Sequence, residues 1–209
     1  MITAFSWLAE NWMEIAGTLS ALLYLYLSIR ENIWLWPVGF VTSFFYMLIF
    51  FQSRLYADMG LQVYYLWVSV YGWFHWMGRR QVAKPETQLE TQLETRCLSP
   101  RGWLTYLALV LAGSVVLYYA LRFVPLWLGL PPSELPLGDA FTTAGGIVAT
   151  WMLARKILEN WLFWVVVNAV SLGMYVYKDL QITAGLFVVY TLMAVVGYYR
   201  WKQNLTQTQ

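Results

Sequence analysis

The 209-residue chain has little charge: Asp, Glu, Lys and Arg together make up 11%, against about 25% in a typical soluble domain. That shortage excludes a disordered chain, a coiled coil and an ordinary soluble enzyme. A single cysteine, Cys97, leaves no disulfide framework and no zinc cluster. A single histidine, His75, leaves no multi-histidine metal site. A net charge of only +2 offers no electrostatic footprint for nucleic acid. No cofactor motif is present. What the chain does have is apolar surface, 60% hydrophobic residues, and an excess of aromatics, including 13 Trp.

The apolar residues fall in charge-free runs at 32–53, 59–78, 102–121, 160–177 and 180–199, with two shorter runs at 15–29 and 140–154. About 20 apolar residues cross the hydrocarbon core as a helix, and Glu14 or Arg155 can reach the interface to complete the shorter runs. The expectation is an all-α membrane protein with seven transmembrane helices, because an open chain in lipid satisfies its backbone polar groups only within helices. Its divisions are an interfacial segment 1–12 with Trp7 and Trp12, a first three-helix bundle 13–77 and a cytoplasmic linker 78–102. A linker helix 103–121, an external loop 122–139, a second bundle 140–201 and a tail 202–209 follow. Arg54, Arg122 and Lys178 fall on one face, and the other ten Lys and Arg on the opposite face. The positive-inside rule then puts the N-terminus outside and the C-terminus in the cytoplasm. No cleavable signal peptide is expected in the first dozen residues.

The chain also matches itself. At an offset of 128, Ala16, Gly17, Ala21, Leu25, Ile29, Glu31, Asn32, Trp36, Val38 and Ser43 meet identical residues. At an offset of 125, Leu55, Gly60, Leu61, Val63, Tyr65, Val70, Gly72 and Trp76 do so. Two triplets separated by one span are parallel, a 3+1+3 arrangement. Transporters with such repeats place their sites near the bilayer midplane, between the repeats.

Polar and aromatic stripes pick out candidate binding residues. Trp161, Trp164, Asn168, Ser171 and Tyr175 share one face of the sixth span, and Asp58, Gln62, Tyr65, Ser69, Gly72 and Trp76 one face of the third. Trp36, Phe40 and Ser43 mirror part of the former. Polar groups in spans avoid lipid, so these stripes face the interior. Asn168 and Gln62 meet Phe40 and Phe187 across the two self-matches, the asymmetry that a small ligand needs. Ligand contact and interhelical hydrogen bonding both remain open for the two amides. Trp161 and Trp164 suit a flat ring, and a cationic one gains a cation–π attraction. The candidate substrate residues are therefore Trp161, Trp164, Asn168, Gln62, Tyr65, Trp36, Ser43 and Ser171. Gly72, Gly197 and Ala194 read as helix packing. Trp76 and Trp201 read as interface anchors, Glu31-Asn32 and Glu159-Asn160 as matching caps, and Pro37 as a kink.

The runs Asn32-Ile33-Trp34-Leu35-Trp36-Pro37-Val38-Gly39, Leu61-Gln62-Val63 and Tyr71-Gly72-Trp73-Phe74-His75-Trp76 resemble the PnuC vitamin transporters. So do Phe50-Phe51-Gln52, Leu55-Tyr56-Ala57, Glu159-Asn160-Trp161-Leu162-Phe163-Trp164 with Asn168, and Tyr177-Lys178. The likeness covers roughly residues 13–201 apart from the middle linker. It implies a bacterial inner-membrane protein related in fold to the SWEET transporters and assembled as a homotrimer in the lipid bilayer. It also implies facilitated diffusion of a vitamin, nicotinamide riboside first. Trp161, Trp164 and Asn168 resemble the family's substrate-contacting residues, with Gln62 in the equivalent region of the first half. Thr42 stands where some nicotinamide riboside members carry Asn. Tyr56-Ala57-Asp58-Met59-Gly60 and Val189-Tyr190-Thr191 lean toward thiamine members. No Lys or Arg lies inside a span to meet a phosphate, which disfavours a mononucleotide. A channel is the reading from another class; a membrane enzyme would need an acid–base constellation that His75 and Cys97 do not supply.

Overall fold

The computed structural model describes residues 12–52, 56–78, 94–129 and 133–207. The expected interfacial segment up to residue 11, and residues 79–93 of the expected linker, lie outside them. Seven helices follow in order: α1 (Trp12–Ile29), α2 (Leu35–Gln52), α3 (Tyr56–Gly78), α4 (Pro100–Trp127), α5 (Pro136–Ala154), α6 (Asn160–Tyr177) and α7 (Gln181–Gln207). Among the described residues the β pairing amounts to one bridge, Arg96 with Ile157.

Two compact units form, one up to Leu93 and one from Glu94 onward. In the first, α2 packs against both α1 and α3. Gly39 makes this possible, since it lies against Tyr24 of α1 and Ser69 of α3. In the second unit α4 packs on α5, α5 on α6 and α6 on α7. Val110, Val148, Ala149, Met152, Ile157 and Phe163 form its buried cluster. Helix α5 lies between two neighbours, which is why small residues dominate its buried positions, from Ala140 and Ala144 to Gly145 and Gly146. Helix α4 is longer than the expected 103–121. Ser99 accepts a hydrogen bond from the Gly102 N–H at 3.2 Å and Pro100 opens the first turn, a favourable start because that turn has unpaired N–H groups.

The helix-to-helix turns share one design. After α1, the Glu31 N–H donates to Ser28 O and the Asn32 N–H to Leu27 O. After α5, the Lys156 N–H donates to Leu153 O and the Ile157 N–H to Met152 O. Glu31 and Lys156 hold φ of 53° and 55°. This is the Schellman closure, in which a left-handed residue lets the last carbonyls find donors. A non-glycine residue there costs roughly 1–2 kcal/mol, which the rest of the turn offsets.

These turns revise the internal alignment. Glu31 and Lys156 are 125 residues apart, as are the ends of α1 and α5, both ends of α2 and α6, and the starts of α3 and α7. One spacing serves throughout, and the expected spacing of 128 in the first part is a three-residue slip. A shift of three residues is close to one helical turn and preserves the face, so apolar self-matching tolerates it. Trp36 is therefore the counterpart of Trp161, Ser43 of Asn168 and Gly39 of Trp164. The two Glu-Asn dipeptides are not counterparts. Asn32 Oδ1 accepts from the Trp34 N–H at 3.0 Å, whereas Glu159 precedes α6 without capping it. Pro37 is the third residue of α2, where its missing N–H is one that a helix leaves unpaired, so no kink follows from it.

By length and composition, α4, α6 and Thr183–Leu205 of α7 are long and apolar enough to cross a membrane among the described residues. Leu19–Ile29 and Leu35–Ile49 are shorter apolar stretches. Helix α3 falls short because its charge-free run is rich in Tyr, Trp and Gly rather than aliphatic residues.

Candidate functional site

In the first unit, the Trp36 ring lies on the backbone of Gly72. A Cβ at that position would collide with its Cε2, Cζ2 and Cδ2. Trp76 stands edge-on to Trp36, centroids 5.4 Å apart and planes at 87°. In the second unit, the Trp161 ring lies on Gly197, where a Cβ would come within 2.7 Å of the ring. Trp201 stands edge-on to it at 5.6 Å and 85°. Trp76 and Trp201 are buried and are not interface anchors; each closes a pocket that a glycine opens. Trp36 and Trp161 are buried too, and neither Nε1 has a hydrogen-bond partner among the described residues.

Of the first-unit candidates, Trp36 lines a cavity of about 220 Å³ together with Pro37, Phe40, Ser69, Val70, Trp73 and Phe74. Gln62, Tyr65 and Ser43 do not line it. Ser43 is buried while Gln62 and Tyr65 are half-buried, and the Tyr65 ring tilts against Tyr64 at 5.4 Å. Trp73 and Phe74 were not singled out from the sequence, although their spacing from Val70 puts them on one side of α3.

The second-unit candidates share α6 but not their surroundings. Trp161 packs toward α7, whereas the half-buried Trp164 packs against the cluster built from α4, α5 and the start of α6. Asn168 and Ser171 are 6% and 7% exposed. An amide at this depth can donate and accept at once. Further along the stripe, Tyr175 stacks on Phe187 at 5.0 Å and 22°, and Phe187 meets the edge of Tyr190 at 5.7 Å.

The turn before α6 is tied down. The Arg96 N–H donates to Lys156 O and the Leu158 N–H to Arg96 O, both at 2.9 Å. The Leu98 N–H donates to both Glu159 carboxylate oxygens at 3.0 Å. Between these two residues, the Cys97 thiol has its pKa raised, first by partial burial and then by the Glu159 charge, with Lys202 opposing. Such a thiol is a poor nucleophile at neutral pH. Among the described residues no group of three His, Cys, Asp or Glu side chains converges on a metal position.

A family described as nicotinamide mononucleotide transporter matches residues 11–203. The chain belongs to that family. Its members and curated relatives are membrane transporters, not enzymes, and the multi-pass apolar helices agree with that. The nicotinamide riboside transporter PnuC of Escherichia coli (strain K12) is 27% identical, over 91% of this chain and 85% of the relative. The riboflavin/roseoflavin transporter RibM of Streptomyces davaonensis is 25% identical, over 91% of this chain and 84% of the relative. The crystal structure of the vitamin B3 transporter PnuC superposes with a TM-score of 0.72 at 21% identity, covering 98% of this chain and 86% of that one. That likeness concerns the fold.

Proposed function

We propose that this transporter carries nicotinamide riboside across the bacterial inner membrane by facilitated diffusion. The observation that carries the reading is Asn168: an amide only 6% exposed, one turn beyond Trp164 on an aromatic helix of a vitamin-transporter family. An amide of this kind can donate and accept at once, as a carboxamide-bearing ring requires. Trp164 and Trp161 supply aromatic surface for a cationic ring, and Gln62, Tyr65, Trp36, Ser43 and Ser171 complete the proposed substrate set. The relative from Escherichia coli supports the riboside as cargo.

The accompanying architecture is seven spans in a SWEET-like 3+1+3 arrangement of parallel repeats. The N-terminus lies outside, and the protein assembles as a homotrimer. The shared turn geometry at a constant spacing of 125 residues supports the repeat. Facilitated diffusion fits the shortage of carboxylates, since no intramembrane acidic cluster for a coupling ion is evident in the sequence.

A second reading, a different aromatic vitamin, is favoured by the similarity to RibM and by the thiamine-like runs around Asp58 and Tyr190. Calorimetry on purified protein with nicotinamide riboside, thiamine and riboflavin decides between them. Binding of nicotinamide riboside with little heat from the other two is expected. Riboflavin or thiamine binding alone would overturn the assignment. In proteoliposomes, uptake should stop at the external concentration; accumulation driven by an ion gradient would sink the facilitated mechanism.

A further inference from the structure

We infer that Gly197 and Trp201 are positioning residues for ligand recognition, setting the rotation of α6 through Trp161. The inference rests on the vitamin-transport reading above. Trp161 lies in the first turn of α6 and is 2% exposed. Its ring lies on the bare backbone of Gly197 and is closed by the edge of Trp201. Its Nε1 has no hydrogen-bond partner among the described residues. No acceptor therefore fixes the indole, and its setting depends on packing. Close-packed interiors transmit small displacements. Trp164 and Asn168 are three and seven residues further along the same α-helix, on the same stripe. A Cβ at position 197 drives the indole away from α7, and α6 must rotate or lift with it. The amide of Asn168 then moves off the position from which it meets a ligand.

The first unit has the same lock, Trp36 on Gly72 closed by Trp76. Its recurrence at the same spacing marks it as a built arrangement. The difference lies in what each helix carries: α2 offers the Ser43 hydroxyl where α6 offers the Asn168 amide. The lock on α6 is the one that governs recognition.

The test is calorimetric titration of the purified full chain with nicotinamide riboside, alongside thermal unfolding. Gly197→Ala should weaken binding by about tenfold, about 1.4 kcal/mol. Affinity that stays within about twofold while the melting temperature falls would show that the lock is only packing and would overturn the inference. If Gly197→Ala does not fold, Trp201→Leu removes the closing edge without adding a clash; it should weaken binding, and unchanged affinity overturns the inference. Asn168→Ala separates the two levels. If it weakens binding while Gly197→Ala does not, the positioning role alone fails. If Asn168→Ala binds like the wild type, or the wild type does not bind the riboside, the site reading fails and the positioning role with it.

Discussion

The two helix triplets are built from the same turns and the same Gly–Trp–Trp lock, yet they differ around it. The second is braced by α4 against α5 and by the 94–98 strap on the turn before α6. The first has no described counterpart of the strap. Where the second has Glu159 holding the Leu98 N–H, the first has Trp34, 60% exposed and edge-on to Trp73. Where the second has the buried Asn160, whose Nδ2 donates to Ile157 O at 2.6 Å, the first has Leu35. Where the second has Asn168, the first has Ser43. The two triplets thus share their turn geometry, while the second gathers the larger polar side chains. A small ligand without twofold symmetry needs such a difference.

The strongest way to break this comparison is to remove the polar group from each copy. Asn168→Ala should weaken vitamin binding about 10–100-fold, the loss of a buried hydrogen-bonding amide being about 1–3 kcal/mol. Ser43→Ala should change affinity by less than about threefold. Equal effects from both would make the copies functionally alike.

A smaller effect is expected from the lock in the first unit. Gly72→Ala forces a methyl group into Trp36 and should destabilise the protein by about 1–3 kcal/mol. Thermal unfolding checks this, and an unchanged melting temperature would mean that Trp36 has room to move.

Smaller again is the strap. Glu159→Ala leaves the Leu98 N–H without its acceptor, at a cost of about 1 kcal/mol, and hydrogen exchange in 94–99 should quicken. Trp34→Ala, the matching change in the first unit, should leave that exchange as it was. The smallest effect is chemical. Because the Cys97 pKa is raised, the neutral thiol dominates at neutral pH. Maleimide labelling should be slower there than for a free cysteine and should rise later with pH. A profile matching free cysteine would mean that neither partial burial nor the Glu159 charge perturbs the thiol.

Particular residues show how far the sequence could be read. Helix positions followed from charge-free runs, since lipid tolerates few charges and the turns collect Arg30, Glu31, Arg155, Lys156, Lys178 and Asp179. The stripe through Trp161, Trp164 and Asn168 was visible in the spacing. The division of that stripe was not. Spacing places residues on one face of a helix, but it does not say which neighbour each one meets, and Trp161 and Trp164 meet different neighbours. Trp76 and Trp201 looked like interface anchors because they end apolar runs. They are core residues because Gly72 and Gly197, one turn earlier, remove the Cβ atoms that would have kept Trp36 and Trp161 away.

The sequence by itself determined the all-helical membrane class and the family resemblance. These depend on composition and on the order of residues along the chain. Only the tertiary structure decided the spacing of 125 residues, the pairing of each buried Trp with its glycine and the burial of the Asn168 amide. A three-residue slip leaves a helical face almost unchanged, whereas a left-handed turn residue and a glycine under an indole ring fix one position each.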